Sequence, residues 1–160
     1  MKNFRVAFNF LDKEDHVPVD YKDISCHLIF DDKMDLNRKD RYVARGHLNG
    51  PPLSVTYASV FSRDSMRLDL LIAALHDLDI LAGGIHNTYL NALTKNKVFS
   101  YSGDEWKSHQ GKFVVIVRAL YGLKSSALVW RNHISDILGN HLRFQSYLAD
   151  PKVLFKAVKR

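Results

Sequence analysis

The apolar run FVVIV at residues 113–117, followed by RALYGLKSSALVWRN, leaves few options for the local fold. Val and Ile are stiff at χ1 and favour a pleated surface, so an unbroken run of them reads as a buried strand. The strand ends near Arg118, where Gly122 permits a tight backbone turn and Lys124 sets a cation beside it. A Ser-capped helix then begins at Ser126 with its first N–H groups unpaired and runs to about Asn140, carrying Leu128, Trp130, Ile134, Ile137 and Leu138. A strand, a glycine turn and a helix start can hold a phosphate, and they are equally an ordinary connection; the residue types leave both readings open.

Strands and helices alternate elsewhere too. CHLIFDD (residues 26–32) and RYVARGHL (residues 41–48) read as two strands joined by a polar turn around residues 35–39, a basic hairpin. Gly50, Pro51 and Pro52 break the pattern, and residues 56–61 are an irregular lead into a helix. That helix is predicted over residues 64–77, with Ser62 or Asp64 as N-cap and Leu68, Leu71, Ile72 and Leu75 on one face, which makes it an amphipathic core helix. A buried strand is predicted at 80–85, a short helix at 86–92, strands at 98–101 and 112–119, and a last strand at 153–155. The order implies an α+β fold with α/β alternation, and 160 residues with 46% apolar composition imply one domain with a real core.

No apolar stretch approaches the roughly 20 residues that span a bilayer. The basic N-terminus runs from apolar residues straight into charges without a cleavage site, so no secretory leader is expected. The single cysteine, Cys26, fits a reducing compartment, and the chain reads as intracellular, cytoplasmic or nuclear. Its net charge of +6 is concentrated at residues 33–45, 95–112 and 152–160, which suits nucleic acid and suits a solvated basic surface equally well. No metal-ligand spacing links the eight histidines, which read as structural. Cys26 has only the adjacent His27 as a partner, facing the other way on a strand, and therefore reads as packing. HQGKF lacks the upstream glycine and the Ser/Thr of a phosphate loop.

LYGLKSSALVW resembles the LYGLKQAPRAW segment of Ty1/copia-type reverse transcriptases of LTR retrotransposons. Other segments agree in order: RYVARGH resembles RLVARGF, SVFSRDSMRLDLLIAALHDLDI resembles the helix and strand of TFAPVARMTSIRLLLALAA, IHNTYLNA resembles DVKNAFLNG, and LADPKVLF resembles SDPCLF. The resemblance covers residues 29–160 and leaves residues 1–28 without a reading.

It implies part of a right-hand polymerase fold, a fingers hairpin plus the first half of the palm. Family members bind two Mg²⁺ ions through aspartates, to activate a primer hydroxyl and stabilise the leaving pyrophosphate. The first of these aspartates falls at Gly84, which has no side chain to offer. Asp79 would sit about 16 Å away along a strand, facing the other side, and Asp77 farther still. The family's YVDD motif occurs nowhere in the chain, so the resemblance implies no catalytic residue, no metal site and no cofactor here, and an inactive fragment of a decayed or truncated copy. It also implies that Tyr89 stands where an aromatic gate excludes the ribose 2′ hydroxyl, that Gly122 and Lys124 pack against nucleotide and template, and that Arg41 and Arg45 meet template phosphate or triphosphate. Ser125 and Ser126 replace family residues in the same segment. The implied partners are a primer–template of RNA and DNA and the remainder of a polyprotein. A non-catalytic nucleic-acid-binding remnant and a functionless relic stand as alternatives.

Overall fold

The computed structural model describes residues 7–12, 14–32, 34, 38–48, 50, 56–58 and 60–157. The chain divides into two compact units, Met1–Tyr57 with Asn87–Trp130, and Ala58–His86 with Arg131–Arg160.

In the first unit, β1 (Phe8–Phe10), β2 (Lys22–Asp23), β5 (Val98–Tyr101) and β6 (Phe113–Ile116) form a sheet ordered β1-β6-β5-β2. β6 pairs antiparallel with both neighbours, and β2 pairs parallel with β5. The expected hairpin forms as β3 (Cys26–Asp32) and β4 (Arg38–Ala44), antiparallel with Cys26 opposite Ala44; β4 starts and ends earlier than the expected 41–48, and Gly46–Leu48 is a 3₁₀ turn. Most of the expected turn between them lies outside the described residues. β1 falls in the stretch that had no reading from sequence: three residues are too short to show a periodicity, and Phe8 reaches the core only by pairing opposite Ile116.

The core is the inner face of this sheet. Val114, Ile116 and Leu120 are at most 2% exposed, and each such burial contributes about 1.5–3 kcal/mol. Around them Phe8, Tyr42 and Trp106 meet edge to face at 5.0–5.5 Å, and Trp106 Nε1 donates to the Tyr42 hydroxyl at 3.2 Å. That bond pairs the indole N–H with the phenol oxygen inside an apolar cluster, while burial pushes the Tyr42 phenol well above its ordinary range.

The second unit contains α1 (Arg63–Leu75) and a small pair of strands, β7 (Gln145–Ser146) and β8 (Leu154–Phe155). α2 (Ser126–Asp136) starts in the first unit and continues into the second, ending in a π-turn at Ile137–His141. α1 starts where expected, since Ser62 Oγ accepts from Ser65 N at 2.9 Å. Ser65 Oγ in turn donates to Asp150 at 2.7 Å, which ties the turn before β8 to the helix start. That bond, the Lys152 N–H and the Lys152 ammonium hold the Asp150 carboxyl below its ordinary range.

Two expectations fail here. The face of α1 expected to be core is open, with Leu68, Leu71, Ile72 and Leu75 at 56%, 54%, 43% and 72% exposure and Ala73 the buried residue of the helix. Helical spacing aligns such residues but supplies nothing to cover them. Residues 80–85 form no strand and are exposed, because no neighbouring strand pairs with their N–H and C=O groups among the described residues. α1 closes with His76 N to Ile72 O, Leu78 N to Ala73 O and a left-handed Asp77 at φ 52°, and the chain beyond is irregular. Among the described residues no helix is long and apolar enough to cross a membrane.

Ile116→Ala is expected to destabilise the protein by about 2–5 kcal/mol, while Leu75→Ala changes stability by less than about 0.5 kcal/mol; urea unfolding measures both. Asp150 is stabilising as the carboxylate, so its contribution is present above its ordinary value of 3.8 and is lost as pH falls through its depressed folded value. The stability gap between wild type and Asp150→Ala should therefore be widest near neutral pH and narrow under acid, followed as thermal midpoints.

Candidate nucleic-acid interface

Strand alternation in β4 sends Tyr42 and Ala44 into the core, both 2% exposed, and puts Arg41 and Val43 on the opposite face. At its end β4, still paired with β3, gains a second partner. Ala44 N donates to Tyr121 O at 2.8 Å, Val43 bridges Tyr121 in parallel, and Arg45 N donates to Ser25 O at 2.9 Å. The hairpin end is thus joined to the turn after β6.

Two glycines make this approach possible. A Cβ on Gly122 would lie 1.8 Å from Ala44 O, and one on Gly46 would lie 2.2 Å from Gly122 O. Gly122 also has φ +89°, a conformation that side chains disfavour. The short helical turn Gly46–Leu48 therefore lies backbone against backbone on the glycine turn that precedes α2.

The same turn anchors the start of α2 by its hydroxyls. Ser126 Oγ donates to Leu120 O, and Ser125 Oγ donates to Asn96 Oδ1 at 3.1 Å. In place of the expected serine cap, the Ser126 hydroxyl closes on the turn before the helix and the Ser125 hydroxyl reaches Asn96. Lys124 is exposed, with Nζ 3.3 Å from Gly50 O.

Tyr89 lies in a 3₁₀ turn, Thr88–Asn91, shorter than the helix expected there. Asn87 enters it in the left-handed conformation at φ 49°. Asn91 Nδ2 reaches back to Asn87 O and Thr88 O, and Arg118 donates to Asn91 O at 3.0 Å. The Tyr89 ring packs on Tyr121, with centroids 4.7 Å apart.

The fold therefore brings Tyr89 and Gly122 together through Tyr121 and sets Arg45 and Lys124 on the flanks of the Gly46–Gly122 contact. Arg45 Nε is 3.4 Å from His27 Nδ1, which orients the guanidinium at the hairpin end. Arg41 lies further along β4 and pairs with Asp31 at 3.3 Å, diagonally across the hairpin. Sequence reading passed over Tyr121, Gly46, Asn91 and Arg118; two glycines in segments far apart were the available signal, and their pairing is visible only in three dimensions.

Gly84 belongs to the second unit, in the exposed irregular segment, with nothing within 4 Å of a Cβ built on it. Among the described residues no three His, Cys, Asp or Glu side chains gather as metal ligands, and glycine at position 84 has no side chain to offer. Burial pushes the Cys26 thiol up to about 11, which leaves it a poor nucleophile at neutral pH.

The family described as reverse transcriptase (RNA-dependent DNA polymerase) matches residues 13–156. The match starts ahead of Ile29, where the resemblance in sequence began. Neither a curated protein nor a solved structure matches the chain.

Gly122→Ala is expected to cost about 2 kcal/mol or more, because it combines a disfavoured φ with a clash against Ala44 O. Gly84→Ala should stay within about 0.5 kcal/mol of wild type, since the added methyl enters open space. Paired denaturation curves of the two variants check the contrast.

Proposed function

We propose a function for this chain from one premise: it belongs to the reverse transcriptase (RNA-dependent DNA polymerase) family. Within that family the chain is of Ty1/copia type and comprises the fingers hairpin, β3 and β4, and the first half of the palm. The observation that carries this reading is the backbone contact of Gly46 with Gly122. It joins RYVARGH to LYGLKSSALVW, two of the segments on which the resemblance rests, and a pairing that excludes side chains on both partners is hard to meet by chance.

The chain binds a primer–template and does not extend it. Arg45 and Lys124 supply charge-assisted hydrogen bonds to phosphate oxygens from the two sides of the glycine contact. Tyr89, held in its turn by Asn91 and Arg118, presents the ring that meets a nucleotide sugar. Arg41 contributes through charge, shared with Asp31. Extension requires carboxylates that hold two magnesium ions, and this chain has glycine at the first of those positions and no YxDD sequence. The chain therefore holds no catalytic metal pair, and its partners are an RNA–DNA primer–template and the remainder of a polyprotein.

The open apolar face of α1 favours a second reading, a relic without binding function, whose exposed leucines drive association. Aggregation of the purified chain, with no nucleic acid bound by its soluble fraction, would decide for it.

Primer extension with magnesium or manganese is expected to give no product above a protein-free control, and Gly84→Asp is expected to restore none. Fluorescence anisotropy with a labelled RNA–DNA primer–template should show binding that weakens steeply with salt. Arg45→Ala and Lys124→Ala should each weaken it and lower the salt slope by about one. Measurable incorporation by a preparation free of host polymerase, or binding indifferent to salt and to both substitutions, would overturn the reading.

A further inference from the structure

α1 is followed by a stretch that neither the core nor the interface above uses. Residues 79–84 form no helix or strand, and among the described residues their backbone N–H and C=O groups meet no protein partner. Ile80 is 63% and Leu81 98% exposed. No residue from 78 to 85 has a positive φ, the glycines included, so the backbone can be drawn out as a strand without leaving the ordinary half of conformational space. A Cβ built on Gly83 or Gly84 meets nothing within 4 Å, so the segment is not crowded there. Exposed, unpaired backbone of this kind can hydrogen-bond to a second backbone laid alongside it.

We propose that this segment is a cleavage site for an endoprotease with an apolar specificity pocket, cut between Leu81 and Ala82. Water adds across that amide: the C–N bond breaks, the hydroxyl goes to the Leu81 carbonyl to give a carboxylate, and the proton goes to the Ala82 nitrogen to give an amine. Three features argue for this partner. A run of six unpaired residues suits a cleft that takes its substrate as an added strand. One large side chain, Leu81, is followed by Ala82, Gly83 and Gly84, which suits a single deep pocket; a paired strand would instead gain from side chains set opposite one another, and these three supply almost none. No Lys or Arg lies between Arg67 and Lys95, so the pocket that reads this segment is apolar and not acidic. The cut does not dismantle the first unit. β1 and β2 precede it and pair with β6 and β5 after it, and Phe8 and Tyr42 close on Trp106 across it. The nicked protein is therefore a complex of two fragments, with Arg45 on one and Tyr89 and Lys124 on the other. Cleavage depends on neither the family nor nucleic-acid binding.

The test is incubation of the whole folded chain with chymotrypsin, whose pocket is apolar, followed over time by mass spectrometry. Tyr101 and Tyr147 are 60% and 54% exposed, but their backbones are paired, Tyr101 with Phe113 and Tyr147 N with Val153 O. The bond after Leu81 is expected to be cut about tenfold faster than the bonds after either tyrosine, which must first open. Leu81→Asp should slow that cut by about tenfold or more and Leu81→Tyr should preserve it, with circular dichroism establishing that both variants fold. Fragments 1–81 and 82–160 should co-elute on size exclusion in buffer and separate in urea. Equal rates at Leu81 and at either tyrosine, or a cut after Leu81 indifferent to Leu81→Asp, would overturn the proposal. Fragments that part in buffer would overturn the two-fragment complex. A bond that resists the protease until the chain is diluted would overturn the proposal too and assign the segment to pairing with a second copy of the chain. Failure of primer–template binding would sink the reading above and leave every one of these rates as it is.

Discussion

The first unit is organised by a place where two backbones touch with nothing between them. Gly46 and Gly122 come from segments separated by most of the unit, and each occupies a position where a Cβ would overlap a carbonyl of the other segment. Close backbone approach lets Ala44 N reach Tyr121 O, and that bond extends β4 into the turn before α2. Once the turn is fixed, Leu120 and Leu123 enter the core and the Ser126 hydroxyl closes on Leu120 O. Arg45, Lys124 and the Tyr89 ring take their places from the same contact. A methyl group at either glycine would disturb the hairpin, the helix start and the charged flank together.

The aromatic cluster gives this contact a rigid base. Phe8 comes from β1, Tyr42 from β4 and Trp106 from the loop between β5 and β6, so one knot of rings ties three parts of the chain. The Trp106 to Tyr42 hydrogen bond keeps polar atoms satisfied inside it, which a hairpin docked by apolar contact alone would not require. The second unit is built differently. Its ordering contacts are polar, Ser62 with Ser65 within one turn and Ser65 with Asp150 far along the chain, and its longest helix leaves its leucines in solvent. Burial, the largest stabilising term in folding, is concentrated in the first unit.

That division bears on chemistry. The positions that resemble a polymerase's grip on nucleic acid lie in the compact first unit, where backbone contacts and rings define them. The position that resembles its first metal ligand, Gly84, lies in the second, in an irregular segment and without a side chain. Metal-assisted phosphoryl transfer requires carboxylates, and glycine at position 84 supplies none. Binding through phosphates tolerates far looser geometry, because it sums several exposed charges.

Local chemistry was legible in the residues themselves. The hairpin follows from CHLIFDD and RYVARGH, the start of α1 from a serine three residues before another hydroxyl, and β6 from its run of Val and Ile, because each depends on neighbours in the chain. The residues at positions 84, 89, 122 and 124, glycine, tyrosine, glycine and lysine, were likewise plain in the sequence. Burial and pairing were not legible. The stripe of leucines on α1 looks the same in sequence whether or not something covers it, and residues 80–85 have strand composition but no strand beside them. The partnership of Gly46 with Gly122 and the Tyr89 stack on Tyr121 were decided by tertiary structure alone. Periodicity and residue type describe what a segment offers; which groups meet depends on contacts between segments distant in the chain, and those exist only once it has folded.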